Sequence, residues 1–571
     1  ERARPVDAGV EADGSPALDG RLRDEGGGDD TDDQLAVAHR RRSRFRAVPA
    51  STCPFMFTIN RSVLDFDFEK CCSVTLSPVN VYACLVCGRY FRGRGKSTPA
   101  YQHALETDHA LFMQLPETLG SMHSQAPSSS GRETKAASAP ADSLRLYWLP
   151  EGVEVEDRSV DDIRHVLQPE YSREQVAALQ DTREWSRALD GSEYMPGVIG
   201  LNNMKRNDYA NVIVHCLAAV PEIRMATMVT QDEHGTVNTP PSRSPNAVLL
   251  QRFGELMRKM WNNRNFKGHV SPHEFMQAVQ DASGRQYRID ETADPVAFLT
   301  WMLNALHAAF VERSGGAATM PKRTKRKAGS GKPAASSGKT AEAPGPSAAG
   351  KSAAVPAADP KSVARGPSAS SSVITDCFQG LLEVTTEAGS LASVPADGPN
   401  LVRRVPFLML GLDLPPAPLY KDSMEKNTIP QIPLFSLLAK YNGVSVHDTI
   451  RGGRRRFRVV RLPRYLILHA SRFQRNNFFT EKNPTIVNFP VKGLNVAESL
   501  NIGSRTSADP ARALQDAEGA GSTKYNLLAN VCHEGKPGEG YYHVHINRRS
   551  EGLWYDIEDL NVTEVLPQQV A

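Results

Sequence analysis

Cys84, Cys87, His103 and His109 lie in the run CLVCGRYFRGRGKSTPAYQHALETDH as Cys-x2-Cys-x15-His-x5-His, and no other feature narrows the possible folds as far. Two thiolates on a tight turn and two imidazoles further along close a tetrahedron, the geometry zinc prefers. The protein fills all four positions, so one structural zinc ion is expected, and the small domain around it depends on metal to fold. Eight cysteines in 571 residues, with one such close pair, do not form a disulfide framework. Cys53, Cys71 and Cys72 read as small buried side chains, because no second histidine pair accompanies them.

Composition shifts divide the chain. Residues 1–50 are rich in Gly, Asp, Arg and Ala without apolar periodicity, and read as a disordered tail. Residues 314–372 and the shorter 501–522 are Ala/Ser/Gly-rich inserts of the same kind. Between them, 51–150 mixes cysteines with aromatic strand-like runs, 151–190 connects, and 191–571 forms one larger domain. In that domain helices come first. VSPHEFMQAV offers Ser271 as N-cap and Pro272 at the first helical position, and DPVAFLTWMLNALHAAF repeats the signal with Asp294 and Pro295. Short β-branched and aromatic runs follow from 373, so the fold class is α+β. The net charge of +3 gives no argument for or against nucleic acid, but RRRSRFR (40–46) and PKRTKRK (321–327) are basic runs that suit nuclear import or a nucleic-acid-facing arm. No apolar run approaches the roughly 20 residues needed to cross a bilayer, so no membrane partner is expected. The acidic, Gly-rich start shows no secretory signal.

GLNNMKRNDYANVIVHCL, residues 200–217, resembles the cysteine box of the ubiquitin-specific proteases, with Gly200, Leu201, Asn203, Tyr209, Asn211 and Leu217 in register. The resemblance implies a papain-like protease fold and places Asp208 at the nucleophile. GEGYYHVHI places Tyr541 at the general-base histidine, and WYDIED places Glu558 at the third catalytic position. Isopeptide cleavage by this route needs a thiolate and a histidine that takes and returns a proton. A carboxylate and a phenol, with a pKa near ~10, supply neither at neutral pH. No enzyme activity is therefore expected. Asp208 reads as the N-cap of the apolar helix that follows, and Cys216 as a packed core thiol. His543 is expected on the strand face opposite Tyr541. His545 is expected on the same face, about 13 Å along at ~3.3 Å per residue.

Residues 53–113 resemble the UBP-type zinc finger found beside many deubiquitinases, which supports the four ligands and implies a small twisted sheet with a helix. Tyr82, Tyr90 and Arg94 are the candidates for a pocket that grips a ubiquitin C-terminus. YACLVCGRYFRGRG, LDLPPAPLYKD and FFTEKNPTIVNFP, with the altered cysteine box, resemble the tri-snRNP-associated, snRNP-assembly-defective branch of the ubiquitin-specific proteases. That resemblance implies a non-catalytic nuclear scaffold, required to assemble or maintain the tri-snRNP in pre-mRNA splicing. Its expected partners are tri-snRNP proteins, with snRNA a further candidate. Between 373 and 470 the only cysteine is Cys377, so the paired cysteines of a second zinc are missing, which counts against ubiquitin binding. The alternative is a pseudo-deubiquitinase that binds ubiquitin without cutting it.

Overall fold

In the computed structural model, residues 48–49, 53–116, 144–230, 244–314, 371–387, 400–416, 429–448, 453–475, 480–502 and 522–570 are described. The tail expected over 1–50, the two inserts and both basic runs lie almost wholly outside them.

The N-terminal domain is one sheet of six strands: β1 (Val48–Pro49), β2 (Val81–Cys84), β3 (Tyr90–Arg92), β4 (Leu111–Gln114), β5 (Leu146–Trp148) and β6 (Val153–Glu156), in the order β1-β6-β5-β4-β2-β3. All neighbours are antiparallel except β1 and β6. The sheet therefore runs past the boundary expected at 150 and takes in β6, because Leu146 and Val155 pair across β5 and β6 and both are buried. Helix α1 (Pro99–Thr107) starts with proline at its first position, where the missing amide costs nothing, and ends at Asp108 in the left-handed conformation.

Among the described residues the larger domain opens with five helices: α2 (Asp208–Ala218), α3 (Pro221–Met228), α4 (Pro245–Met260), α5 (His273–Ala282) and α6 (Pro295–Arg313). Asp294 caps α6 as its sequence predicts, accepting from the amides of Val296 and Ala297. Ser271 does not cap α5. That helix begins at His273, and Ser271 is engaged elsewhere: its amide donates to Asp67 and its hydroxyl accepts from Asn202.

Two four-stranded sheets follow. The first joins β7 (Gly380–Thr386), β8 (Leu401–Phe407), β9 (Asn442–Asp448) and β10 (Arg454–Arg461) in the order β8-β7-β10-β9. The second is an antiparallel meander of β11 (Ala529–Glu534), β12 (Tyr541–Arg548), β13 (Leu553–Glu558) and β14 (Asn561–Val565). Val544, Ile546, Tyr555 and Ile557 share the main core with Tyr209, Val212, Ile213 and Leu217 of α2. This packing fixes the start of α2 against the start of β12.

The two domains are joined by charge. Lys259 at the end of α4 donates to Asp67 and to the carbonyl of Phe66, each at 2.9 Å. Lys70, 5% exposed, bridges both oxygens of Glu274 at 2.9 Å. Lys267 pairs with Asp65, and Gln277 donates to Glu69. The stretch LDFDFEK is thus held against α4, α5 and the chain between them, with Asp65, Asp67 and Lys70 each paired to an opposite charge.

Candidate functional site

The turn that carries the two cysteines forms because Gly88 takes φ +75° and its amide donates to the Cys84 carbonyl at 2.9 Å. A Cβ at Gly88 would come within 2.3 Å of the Val63 carbonyl oxygen, so only glycine fits. Helix α1 delivers His103, stacked on Phe91 at 4.2 Å, and the left-handed Asp108 turns the chain so that His109 meets it. Donor atoms of Cys84, Cys87, His103 and His109 all lie within 4.8 Å of one another. Cys87 Sγ is 3.4 Å from His103 Nε2, which is 3.1 Å from His109 Nδ1. A tetrahedral zinc with bonds of about 2.0–2.3 Å needs ligand separations of this order, so the residues fit the ion. The hydrogen bond between the thiols, then that from the Arg89 backbone and after it those from both histidines, holds Cys87 well below the usual thiol range, while Cys84 is raised. Cys53 and Cys72 are buried side chains as expected, and Cys71 is half-buried.

The expected ubiquitin pocket of the finger does not form from the three residues named for it. Tyr82 is 2% exposed within the finger core. Tyr90 is 9% exposed, with its hydroxyl on the Asp65 carbonyl. Arg94 stacks on Tyr147 at 4.3 Å. The tyrosines are packing residues: Tyr82 shares a core cluster with Phe91 and Phe112, and Tyr90 one with Leu85 and Leu111.

In the cleft, Asn207 and not Asp208 precedes α2, and Asp208 is the helix's first residue. Its carboxylate accepts the amide of Tyr542, on β12, at 2.9 Å. The cause is that Asn207 turns its own side chain back into the loop. It accepts the Met204 amide at 2.8 Å and donates to Asn211 at 2.9 Å. Asn203 donates to Asp559 at 2.9 Å, and Asn211 donates to the other oxygen of Asp559 at 3.3 Å. Asn203 therefore gives its amide to a carboxylate and does not hold it ready for an oxyanion. Burial, and then the charge of Asp208, raise Asp559 against the pull of both asparagines.

Tyr541, at the histidine position, is exposed and donates its hydroxyl to Glu534 at 2.8 Å. That hydrogen bond, ahead of other causes, pushes the phenol up to about 12, so it is a donor at neutral pH. Glu558 ends β13, and its charge acts on Tyr541; the carboxylate that reaches the start of α2 belongs to its neighbour Asp559. The sequence pattern missed Asn207 and Asp559. Asp559 sits one residue beyond the position the motif marks, at φ +49°, and only that turn aims it inward.

His543 does not point away from Tyr541. Residues two apart on a strand share a face, and the two ring centroids are 6.3 Å apart. His543 Nδ1 is hydrogen-bonded to Asp556 at 2.7 Å, and His545 stands 5.2 Å from His543 between centroids. Asp556 is hydrogen-bonded directly to His543, while His545 Nε2 stands 3.7 Å from the same carboxylate oxygen. Cys216 is a core thiol, pushed up to about 12 by burial.

Taken together, the cleft holds a carboxylate fixed to a backbone amide, an asparagine network and a phenol tied to a glutamate. Such groups bind three segments to one another. Comparisons with known proteins agree with the frame around them. The family model described as ubiquitin carboxyl-terminal hydrolase matches residues 199–571, and the model for the zinc finger in ubiquitin hydrolases and other proteins matches residues 71–119. The chain is 38% identical to ubiquitin carboxyl-terminal hydrolase 39 of Homo sapiens, over 91% of this chain and 78% of that protein. It is 34% identical to the probable mRNA-splicing protein ubp10 of Schizosaccharomyces pombe, over 94% and 90% of the two. It is 25% identical to the pre-mRNA-splicing factor SAD1 of Saccharomyces cerevisiae, over 89% of each. A crystal structure of an essential yeast splicing factor shares the fold, with a TM-score of 0.59 at 22% identity, covering 91% of this chain and 96% of that one. The chain belongs to the ubiquitin carboxyl-terminal hydrolase family, with a UBP-type zinc finger ahead of the hydrolase-type domain.

Proposed function

We propose that this protein acts in pre-mRNA splicing as a non-catalytic nuclear scaffold that assembles or maintains the tri-snRNP. The observation that carries this reading is the hydrogen bond from the Tyr542 amide to Asp208, which commits the carboxyl group to the fold where the family's reaction needs a free nucleophile. The neutral Tyr541 hydroxyl, committed to Glu534, supplies no base to activate a substitute. A frame that keeps its packing but lacks its chemistry suits a binding role, and relatives named for splicing give that role its setting. One structural zinc on Cys84, Cys87, His103 and His109 completes the finger. Tri-snRNP proteins are the expected partners, with snRNA a further candidate. The alternative of a ubiquitin-binding pseudo-deubiquitinase is weakened by the burial of Tyr82 and Tyr90.

Affinity purification of the intact protein from nuclear extract at moderate salt tests the reading. Recovery of spliceosomal small nuclear RNAs with their core proteins is the expected result. Recovery of ubiquitin conjugates without those RNAs would overturn it.

A further inference from the structure

Away from the cleft, a cluster of arginines surrounds one indole. Trp261 follows α4, and the guanidinium of Arg224, from α3, lies 4.5 Å from its ring centroid. Arg548, the last residue of β12, lies 4.8 Å from the same ring. The backbone is pressed against this stack: Gly197 has φ +86°, and a Cβ there would come within 2.5 Å of the indole. Arg224 is 4% exposed and Arg548 5%, and the exposed Arg549 adds a third positive charge beside them.

These charges are incompletely matched. Arg224 donates to the Ala218 carbonyl and Arg548 to the Thr182 carbonyl, each at 3.0 Å. The Nε of each arginine, and the Trp261 Nε1, are buried with no hydrogen-bond partner among the described residues. The carboxylates whose charge the two arginines feel are occupied. Glu222 pairs with Arg464 and accepts from Tyr465, and Glu551 accepts from Tyr555. Arginine does not escape such a site by losing its proton. Burial, and then the neighbouring Arg548 and Arg549, push Arg224 down to about 10, so it remains charged at neutral pH. Unpaired buried charge of one sign calls for an anion. The same residues line a cavity of about 40 Å³, with Gly197, Trp261 and Asn547 in its wall.

We propose that this cavity binds a phosphomonoester, the phosphoryl group of a phosphorylated serine or threonine on a protein partner, held by Arg224, Arg548 and Arg549. The charge of such a group, about −1.5 to −2 at pH 7, suits three clustered guanidiniums, whose N–H forks match its oxygens. A cavity of this size favours one small oxyanion over a bulkier group. An internal RNA phosphodiester carries one charge and two bulky substituents, and fits the space less well.

Isothermal titration of the full chain with O-phospho-L-serine, with inorganic phosphate and with chloride at matched ionic strength tests this. Saturable binding of phosphoserine and phosphate but not chloride is expected. Arg549→Gln, on the surface, weakens both roughly tenfold or more by removing one charge-assisted contact, and Arg548→Gln abolishes them. If Arg548→Gln does not fold, the Arg549→Gln comparison still decides. Phosphoserine behaving as chloride does, or binding Arg549→Gln as tightly as the parent, would overturn the proposal. So would phosphate binding without phosphoserine, or displacement of phosphoserine by a single-stranded oligoribonucleotide that binds more tightly.

Discussion

At position 208 a carboxylate oxygen sits 2.9 Å from the Tyr542 amide, 7% exposed, at the first turn of a buried helix. Truncation leaves that half-buried amide without its partner, so Asp208→Ala is expected to lose about 1–3 kcal/mol in urea unfolding. Asp208→Asn keeps an acceptor oxygen and is expected to lose less than about 1 kcal/mol. Equal losses for both would show that the charge, and not the acceptor, matters. Asp208→Cys with Tyr541→His is expected to stay at background on a fluorogenic ubiquitin substrate, because Asn203 is spent on Asp559 and Lys205 and Arg206 stand in the loop. The motif located Asp208 and Tyr541 by spacing alone. It missed Asn207 and Asp559, since their part depends on side-chain direction within a loop and at a positive-φ turn, which spacing does not encode.

Among the elements, the metal turn was legible because four donors at fixed spacing leave few geometries. Cys87→Ser is expected to release the zinc, measurable as metal per chain by mass spectrometry, and to open 81–114 to proteolysis; a protected finger without metal would contradict the zinc-dependent fold. Caps were legible only where nothing competed. Asp294 caps its helix, whereas Ser271, with an equally good local signal, is drawn off to Asp67 across the domain junction. That junction predicts an asymmetry. Glu274→Ala leaves Lys70 buried without its partner and is expected to cost about 3–5 kcal/mol, while Lys70→Met with Glu274→Leu is close to neutral. Similar costs for the single and double variants in chemical denaturation would count against this reading of the pair. The boundary expected at 150 stopped short of β6, which joins the sheet by pairing with β5.

For the whole molecule, the same junction sets a pH response. Burial raises the Asp67 and Glu255 carboxyls, but Lys259, the Ser271 amide and Lys267 together outweigh it for Asp67, and Arg252, Arg258 and Lys70 together outweigh it for Glu255, leaving Asp67 lowered and Glu255 at about 2. Both folded values lie below the unfolded ones, so their stabilisation is complete above about pH 4.5 and is lost as pH falls through the folded values. Acid unfolding followed by circular dichroism is expected to begin in that window, and Asp67→Asn to flatten it; an unchanged acid limb would exclude Asp67 as a contributor. The α+β class and the order of the two domains were legible from composition and periodicity. How the finger is held on α4 and α5 was not, because ion pairs between residues some 200 positions apart leave no local pattern.

The central claim is that the protein serves splicing through its surfaces and not through a reaction at position 208. Its most direct test is add-back to a nuclear extract depleted of the endogenous protein, reading the spliced fraction of a reporter pre-mRNA. Wild type and Asp208→Asn are predicted to restore splicing equally. Failure of Asp208→Asn, with folding intact, would mean that the carboxylate performs chemistry and would contradict the account.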